Sequence, residues 1–301
     1  MGAGLMMSAP GVKAQRPDTA QVFVHYKFSH VRDTTDRTRP YTENMVLAVG
    51  KKAGVYRSYD AQLQEAQFNK QMREQIAGSG GGRIRVDRHI TASGTEYFQY
   101  PNERTMVRRE SLFHSFLISE ALPAIVWQIG SDTATFGGLH CQKATTHFKG
   151  RDYTAWFCPD LPLQLGPWKL NGLPGVIVEA YDVKNEVRFA FDGIEKARMI
   201  DQSVAQASDN QVRMPPPLPG TEDDLSDPTI IKLPEHATKT TEQEFARLRE
   251  AARKDPSAFA QGMMASQGGD MAGDNGHKMN VEVKAAPAPV INNPIELPEK
   301  K

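Results

Sequence analysis

The sequence predicts a mainly β protein: an antiparallel sheet curled into an open or half barrel, with one or two helices and a largely disordered C-terminal tail. Two observations predict this fold class. From Val22 to about Ile200, β-branched and aromatic residues alternate with polar ones between turn formers, a pattern typical of half-buried strands. After Ile200 the composition shifts to proline, glycine and acidic residues, which do not build a packed core.

The charge balance and the hydropathy pattern limit the partners. The 301 residues include 36 basic and 36 acidic side chains, so the formal net charge is zero. A zero balance gives no electrostatic reason to expect nucleic acid or an anionic membrane surface as a partner. The apolar runs also fall short of the ~20 residues that cross a bilayer. We therefore expect neither a nucleic-acid partner nor a transmembrane segment.

The N-terminal residues indicate export. Residues 1–14 carry no charge before Lys13, and Val12 and Ala14 occupy the −3 and −1 positions of a signal-peptidase site. We predict that this segment is a signal-peptide remnant, with the mature chain beginning near Gln15 in the periplasm or outside the cell. A charged start and a full-length apolar stretch are missing, and the alternative is a flexible N-terminus of a cytoplasmic protein.

The β domain, predicted over residues 18–200, opens with a strand pattern at Val22. Further strands are expected at 45–49 and 55–59. A run of good helix formers predicts a helix over 61–77. The glycine-rich stretch 78–82 ends it as a connector, because no Gly-Lys-Ser/Thr follows to make a phosphate loop.

The two cysteines indicate a disulfide across a hairpin. If Lys149-Gly150 form a two-residue turn, opposed residues have numbers that sum to 299, and Cys141 faces Cys158. Opposed Cβ atoms lie about 4.5–5.5 Å apart, near the separation of a disulfide. The same register places Lys143 against Trp156 as a cation–π pair. Two buried free thiols are the alternative. The other, more apolar face carries Ala144, Phe148, Tyr153, Ala155 and Phe157.

A second hairpin is predicted from 176–183 and 186–191 around Lys184-Asn185. One face should be dry and the other wet, as in an antiparallel sheet that covers a single core. The apolar face carries Val176, Val178, Ala180, Val187, Phe189 and Phe191, and the wet face carries Glu179, Tyr181 and Arg188.

The chain beyond the β domain divides by composition. Residues 201–240 are proline-rich and acidic, which predicts a linker. Thr241 and Glu244 form a capping-box pattern for a short helix over 241–255. Residues 262–292 are rich in glycine, alanine, aspartate, asparagine and proline, and we expect them to be disordered.

The segment between the hairpins has strong turn chemistry. Its turn formers are Gly166, Pro167, Gly172, Leu173, Pro174 and Gly175. Leu173 precedes a proline and is restricted to extended backbone. Pro174 followed by Gly175 predicts a type II turn, in which glycine supplies the positive φ at the third position.

This segment resembles the GLPGLI family, a group of exported proteins of unknown function. The resemblance is carried by residues 172–177, with Val176 in place of the family's usual leucine, and is supported by Gly166-Pro167 and by 141–144 and 153–156. Residues 293–297, Asn-Pro-Ile-Glu-Leu, are similar to the family's C-terminal signature. The resemblance implies secretion or a periplasmic location, often with genes beside those of outer-membrane receptors, and implies no catalytic residues.

Two arrangements are considered for chemistry at the β domain. A triad from Ser111 and His114 lacks an acid partner, and no Gly-x-Ser-x-Gly motif is present. A zinc set lacks ligand spacing, and the disulfide is favoured over it. That set would be His140, Cys141, His147 and Cys158. No catalytic residue and no cofactor is assigned.

The tail offers a speculative metal site. Its thioethers and imidazole are ligands that suit Cu(I), but a low-complexity tail in a methionine-tolerant composition is favoured over a metal site. The residues are Met263, Met264, Met271, His277 and Met279.

The sequence favours a non-catalytic cell-envelope module that binds an outer-membrane or envelope protein, or a small apolar ligand held inside the curled sheet. An ordinary filled core is favoured over a ligand cavity. Periplasmic copper handling by the tail is the first alternative, and a hydrolase with an unrecognised site is the second.

Overall fold

A computed structural model describes residues 16–78, 92–112, 114–197, 227–255, 258–259, 262 and 290–299. The predicted signal-peptide remnant, most of the predicted linker and most of the predicted tail lie outside the described residues. All five candidate copper ligands lie outside them as well.

The described residues form a mainly β protein built on one large open sheet. In chain order the strands are β1 (Asp18–Thr19), β2 (Val22–His30), β3 (Tyr41–Val49), β4 (Gly54–Ser58), β5 (Glu96–Tyr100), β6 (Thr105–Leu112), β7 (His114–Ala121), β8 (Gln128–Phe136), β9 (Leu139–Phe148), β10 (Arg151–Cys158), β11 (Val176–Asp182), β12 (Val187–Lys196), β13 (Ile230–Ile231) and β14 (Thr238–Thr240). The large sheet has the order β14-β7-β6-β5-β4-β3-β2-β12-β11-β10-β9-β8. Its two ends do not meet, so the sheet is not closed into a barrel.

Neighbouring strands of this sheet are antiparallel, except that β14 runs parallel to β7. Strand β2 lies in the middle, hydrogen-bonded to β3 on one side and to β12 on the other. The pairing of β2 with β12 joins the first and last long strands of the β domain. Strands β1 and β13 form a separate two-stranded sheet.

The predicted helix begins slightly earlier than the sequence pattern indicates. Helix α1 spans Tyr59–Gly78 and packs against β3, and its Asp60 carboxylate accepts hydrogen bonds from the backbone and side-chain amides of Asn44. Helix α2 spans Glu242–Lys254. Its predicted capping box is present, because the Thr241 hydroxyl accepts from the Glu244 backbone while the Glu244 carboxylate accepts from the Thr241 backbone.

The β9–β10 hairpin has the predicted register. Arg151 opposes Phe148 and Trp156 opposes Lys143, on either side of the Lys149-Gly150 turn. Lys149 and Gly150 have φ values of 52° and 69°, which matches the right-handed twist of the strands. Cys141 and Cys158 form the predicted disulfide. The predicted cation–π pair is replaced by an ion pair, since the Lys143 ammonium lies 2.9 Å from the Asp132 carboxylate.

The β11–β12 hairpin also has the predicted faces. Ala180 opposes Phe189 and Tyr181 opposes Arg188. Five of the six residues predicted for the apolar face are buried and Phe191 is partly buried. On the other face Arg188 is exposed, and Glu179 and Tyr181 are partly buried. The apolar face forms the main core with the inner residues of β2, β3, β9 and β10.

Residues 227–240 are more ordered than a linker would be. The composition places them in the predicted linker over 201–240, but Ile230–Ile231 pair with β1, and Thr238–Thr240 extend the large sheet beside β7. The apolar pair Ile230 and Ile231 accounts for this, because Ile231 is buried in a second core with β4, β5 and β6 residues. Similarly, 290–292 belonged to the predicted disordered tail, yet the Asn292 backbone N–H donates to the Arg32 carbonyl.

Candidate functional site

The segment from 159 to 175, between β10 and β11, packs on the main core. Most of its turn-rich motif is buried, whereas Gly172 and Pro174 are exposed. The side-chain amide of Gln99, on β5, donates to the carbonyls of Gly166 and Trp168 at 2.8 and 2.9 Å. Gln99 is fully buried, so these bonds satisfy polar groups that would otherwise be costly to bury. The Asn171 carbonyl accepts from the Trp127 indole N–H at 2.8 Å. The motif therefore ties β5 and the β7–β8 connection to the core.

Trp168 is the main apolar anchor of this segment. It has a φ of 55° and is 3% exposed. Its ring stacks on Phe189 of β12 with an interplanar angle of 13° and a centroid distance of 6.5 Å. Leu165, Leu170 and Leu173 are also fully buried. The apolar side chains of the motif thus pack against the inner face of the sheet.

The predicted type II turn is wrong in its hydrogen bonding. The Gly175 N–H donates to the Leu173 carbonyl at 2.8 Å, which closes a three-residue γ-turn around Pro174. The Val176 N–H, which would close a type II turn, donates instead to Leu161 at 3.1 Å. Gly175 has a φ of 157°. Glycine is required here by close approach, since a Cβ atom would lie 2.4 Å from the Cys158 carbonyl oxygen.

A row of alternating charges runs beside the motif. The Lys169 ammonium is 7% exposed and lies 3.1 Å from Glu120 of β7 and 2.8 Å from Glu296 of the C-terminal segment. Glu296 also lies 3.0 Å from Lys149 in the β9–β10 turn. We call this row, together with the arginine cluster described next, the charge ladder.

The ladder continues across the sheet to α2. Arg108 of β6 lies 3.3 Å from Glu120 and 3.1 Å from Glu110, and it also pairs with Glu242 of α2. Burial alone would lower the pKa of Arg108, but these three carboxylates outweigh it and raise the pKa. Burial raises the pKa of Glu110 despite the opposing effect of Arg108. The ladder thus links β6, β7, α2, the motif and the C-terminal segment.

The ion pairs of the charge ladder hold separate chain segments together. Burial alone would raise the pKa of Glu296, but hydrogen bonds from Lys169 and Lys149 hold it below its ordinary value. The Lys169 ammonium bridges two carboxylates and is therefore not an exposed nucleophile. None of the other residues of the charge ladder is an activated nucleophile. These groups can position chain segments, and their arrangement does not define a reaction.

A second polar cluster holds the C-terminal segment 290–299, which we call the strap. Its centre is Arg151 of β10, whose side chain is 2% exposed. The guanidinium donates to five acceptors, which matches its five N–H groups. They are Asp182 at 2.7 Å, Glu186 at 3.1 Å, the Asn293 side chain at 2.7 Å, and the carbonyls of Pro294 at 2.8 Å and Ile295 at 3.0 Å.

Both ends of the strap make further contacts. The backbone N–H of Asn293 donates to the Arg32 carbonyl at 3.0 Å, and the N–H of Leu297 donates to the Lys149 carbonyl at 3.0 Å. His147 lies between Asp152 and Glu299, at 2.6 and 2.9 Å. Hydrogen bonds to these two carboxylates raise the pKa of His147. The family-like residues 293–297 therefore serve to close the fold over the β9–β10 turn.

The residues considered for catalysis are not assembled into a site. The His114 imidazole lies 3.2 Å from the Thr238 hydroxyl of β14, and burial lowers its pKa. Ser111 opposes Ser115 on the neighbouring strand, while His114 opposes Leu112. The structure thus places the Ser111 and His114 backbones at separate positions of the β6–β7 pair.

The residues considered for zinc are also committed elsewhere. Both cysteines are in the disulfide, and His147 contacts two carboxylates. His140 lies 3.5 Å from Asp160. Over the part of the chain that the structure describes, no group of three or more histidine, cysteine or acidic residues could hold a metal ion.

Sequence reasoning missed Arg151 and the ladder. One signal was present: residue 151 falls on the same hairpin face as Tyr153, Ala155 and Phe157, so a charge stood in an apolar row. A charge in such a row requires buried partners. Those partners lie more than 140 positions away at Asn293 and Pro294, and nothing local in the sequence connects them.

Strand β8 lies at one edge of the large sheet and is largely exposed. It is hydrogen-bonded to β9 on one side, and its residues from Gln128 to Thr133 are exposed. An open depression of about 390 Å³ lies between β8 and β9, lined in part by Thr133, His140 and Cys141. The neighbouring Val126 is 85% exposed, and Ile129 is 50% exposed. Among the described helices, none is long and apolar enough to cross a membrane.

Comparison with known proteins gives little beyond this geometry. No family model matches the chain, and no curated protein matches it. Solved structures that match include PNGF-II in two crystal forms, P21 and C2, each at 11% identity over 76% of this chain. The TM-scores are 0.45 and 0.44, and the matches cover 33% and 32% of PNGF-II, so this chain spans about a third of its length. A likeness at this level carries no argument about function.

Proposed function

We propose that this chain is an exported, non-catalytic module of the cell envelope that binds a partner protein. The observation that carries the proposal is a contrast between the interior and one edge. In the charge ladder and around the strap, the charged side chains pair with neighbouring charges. Strand β8, by contrast, is hydrogen-bonded to β9 on one side, and the side chains of Val126 and Ile129 are exposed beside it. Strand edges and exposed apolar side chains are what protein partners bind.

A partner protein is favoured over a small apolar ligand. The aromatic and aliphatic side chains that could line a ligand cavity are 0–5% exposed and pack against the motif. Trp168 in particular fills the space above Phe189. An interior packed in this way has no space for a ligand unless the motif moves.

Export is supported by two independent features. The disulfide between Cys141 and Cys158 is typical of an oxidising compartment. The sequence of residues 12–14 fits a signal-peptidase site. The resemblance to the GLPGLI family agrees with both, and membership of that family is part of the proposal.

Site-specific photo-crosslinking tests the binding surface. A photoreactive amino acid at Ser131, exposed on β8, should give a discrete adduct in an envelope fraction. The same group at Lys184, exposed in the β11–β12 turn on another part of the sheet, is the matched control. Mass spectrometry should identify one partner from Ser131 and none from Lys184. Equal adducts from both positions, or none from either, would contradict the proposed surface.

N-terminal sequencing tests export separately. The mature protein should begin near Gln15 and be recovered outside the cytoplasm. A chain that retains Met1 in the cytosol would refute the export half of the proposal, and it would leave the crosslinking result to be judged alone.

A further inference from the structure

His30 lies beneath the strap at the end of β2. Its side chain is buried, with the residue 5% exposed, and its Nε2 lies 2.8 Å from the Asn293 carbonyl. A carbonyl oxygen only accepts, so Nε2 carries a proton and donates it to the strap backbone. Arg32, two residues along the chain, accepts the N–H groups of Asn292 and Asn293 at its own carbonyl. The strap therefore lies against His30 and Arg32.

The charged groups around His30 are already engaged with one another. From the β2–β3 connection, Arg32 lies over the ring of Tyr41, 3.4 Å from its centroid, and Arg37 pairs with Glu186. From β10 and the β11–β12 turn, Arg151 pairs with Asp182 and Glu186. From β3, Glu43 accepts hydrogen bonds from the Tyr41 hydroxyl and the Ser93 N–H.

His30 forms its hydrogen bond with a neutral group, the Asn293 carbonyl. Protonation would add a positive charge beside the guanidinium groups of Arg32 and Arg151, and no carboxylate of the described residues forms an ion pair with His30. Burial foremost, and then Arg32 and Arg151, lower the pKa of His30 to about 4, although the Asn293 carbonyl and Asp182 act in the other direction. The closed structure thus favours the neutral imidazole.

We propose that the strap is an acid-sensitive latch, closed at neutral pH and released from the sheet when His30 takes up a second proton. A charged His30 would repel the Arg151 guanidinium, which is the group that holds Asn293, Pro294 and Ile295. It would also repel the guanidinium of Arg32, whose backbone carbonyl holds Asn292 and Asn293. Release would solvate the imidazolium and would separate Glu296 from Lys149 and Lys169. This inference does not depend on the proposed function.

The sign of the effect follows from linkage. A histidine with a pKa of about 4 when closed and about 6.5 when solvated favours the closed strap fully above pH 6.5. Closure then weakens as the pH falls towards 4. Between pH 7 and pH 5 these two values allow at most about a 20-fold loss in the closing equilibrium. We expect about tenfold.

Amide hydrogen exchange in the full-length protein measures this directly. The protection factors of Asn293 and Leu297, whose N–H groups hold the strap, should fall about tenfold from pH 7 to pH 5. Ile177, whose N–H donates to Leu165 in the core, is the internal reference and should keep its protection. Unchanged protection of the strap, or an equal loss at Ile177, would overturn the latch.

Two variants separate His30 from the other histidine near the strap. His30→Gln keeps an N–H donor for the Asn293 carbonyl without titrating in this range, and strap protection should no longer fall as the pH falls. His147→Gln, which alters the exposed contact with Glu299, should retain a loss of tenfold or more, because protonated His147 pairs with Glu299 and favours closure as the pH falls. A loss that persists in His30→Gln would refute the proposal. Should that variant fail to fold, an NMR titration of His30 in the parent decides, because a midpoint near 6.5 with the strap closed would also refute it.

Discussion

Replacing Gly175 by alanine probes how closely the motif is packed. The new Cβ atom would lie 2.4 Å from the carbonyl oxygen of Cys158, 2.6 Å from its carbonyl carbon and 2.8 Å from the nitrogen of Pro159. These three are backbone atoms, and the disulfide at Cys158 restrains them. They cannot swing away as the end of a flexible side chain would.

The magnitude follows from three effects. Overpacking a well-filled site costs about 1–3 kcal/mol. A φ of 157° lies where residues other than glycine are rare, which adds about 1 kcal/mol. Alanine restricts the unfolded chain, which offsets about 0.4–1 kcal/mol. We therefore expect Gly175→Ala to lower the free energy of unfolding by about 2–3 kcal/mol.

Urea unfolding followed by tryptophan fluorescence measures the loss. With an m-value of about 2–3 kcal/mol/M, the midpoint should fall by about 1 M. Gly193→Ala is the matched control, because Gly193 has a φ of 138° and no atom within 4 Å of its Cβ position. The control should lose only the conformational part less the same unfolded-chain offset, about 0.5 kcal/mol or below. Equal losses in the two variants would show that the contact with Cys158 is not the cause.

Three further predictions concern the staple, the buried arginine and the tail. Reducing the Cys141–Cys158 bond should lower the free energy of unfolding by about 1–3 kcal/mol in urea, less than the chain-entropy value of about 3 kcal/mol, because the hairpin already brings the strands together. Arg151→Met should cost about 3–5 kcal/mol by leaving buried carboxylates unpaired, whereas Arg188→Met, at an exposed pair, should cost below about 1 kcal/mol. Calorimetry with Cu(I) should show no binding that depends on the methionines of the tail.

The sequence was most informative where contacts are local. The register of β9 and β10 could be predicted because a two-residue turn fixes every opposed pair, including the cysteines. The Thr241 capping box was predictable for the same reason, since its two bonds span three residues. Such features depend on spacing alone.

The strap and the charge ladder depend on contacts that spacing does not encode. Arg151 could be marked as a charge in an apolar row, but its partners Asn293 and Pro294 could not be named. The hydrogen bond predicted for the turn at Gly175 was wrong, because the Val176 N–H donates to the Leu161 carbonyl instead. That contact forms only when the segment packs. Tertiary packing decided both outcomes.

The central position of β2 has a consequence for the order of folding. Phe28 of β2 opposes Phe189 of β12, about 160 positions later in the chain. During synthesis, one edge of β2 must wait until β12 has emerged, and at ordinary elongation rates of about 5–20 residues per second this takes roughly 8–30 s. Throughout that interval β2 offers an unpaired edge with apolar Val24 and Tyr26. Until β12 pairs with it, this edge of β2 can pair with a second chain, and changes that weaken the β2–β12 pairing should increase aggregation.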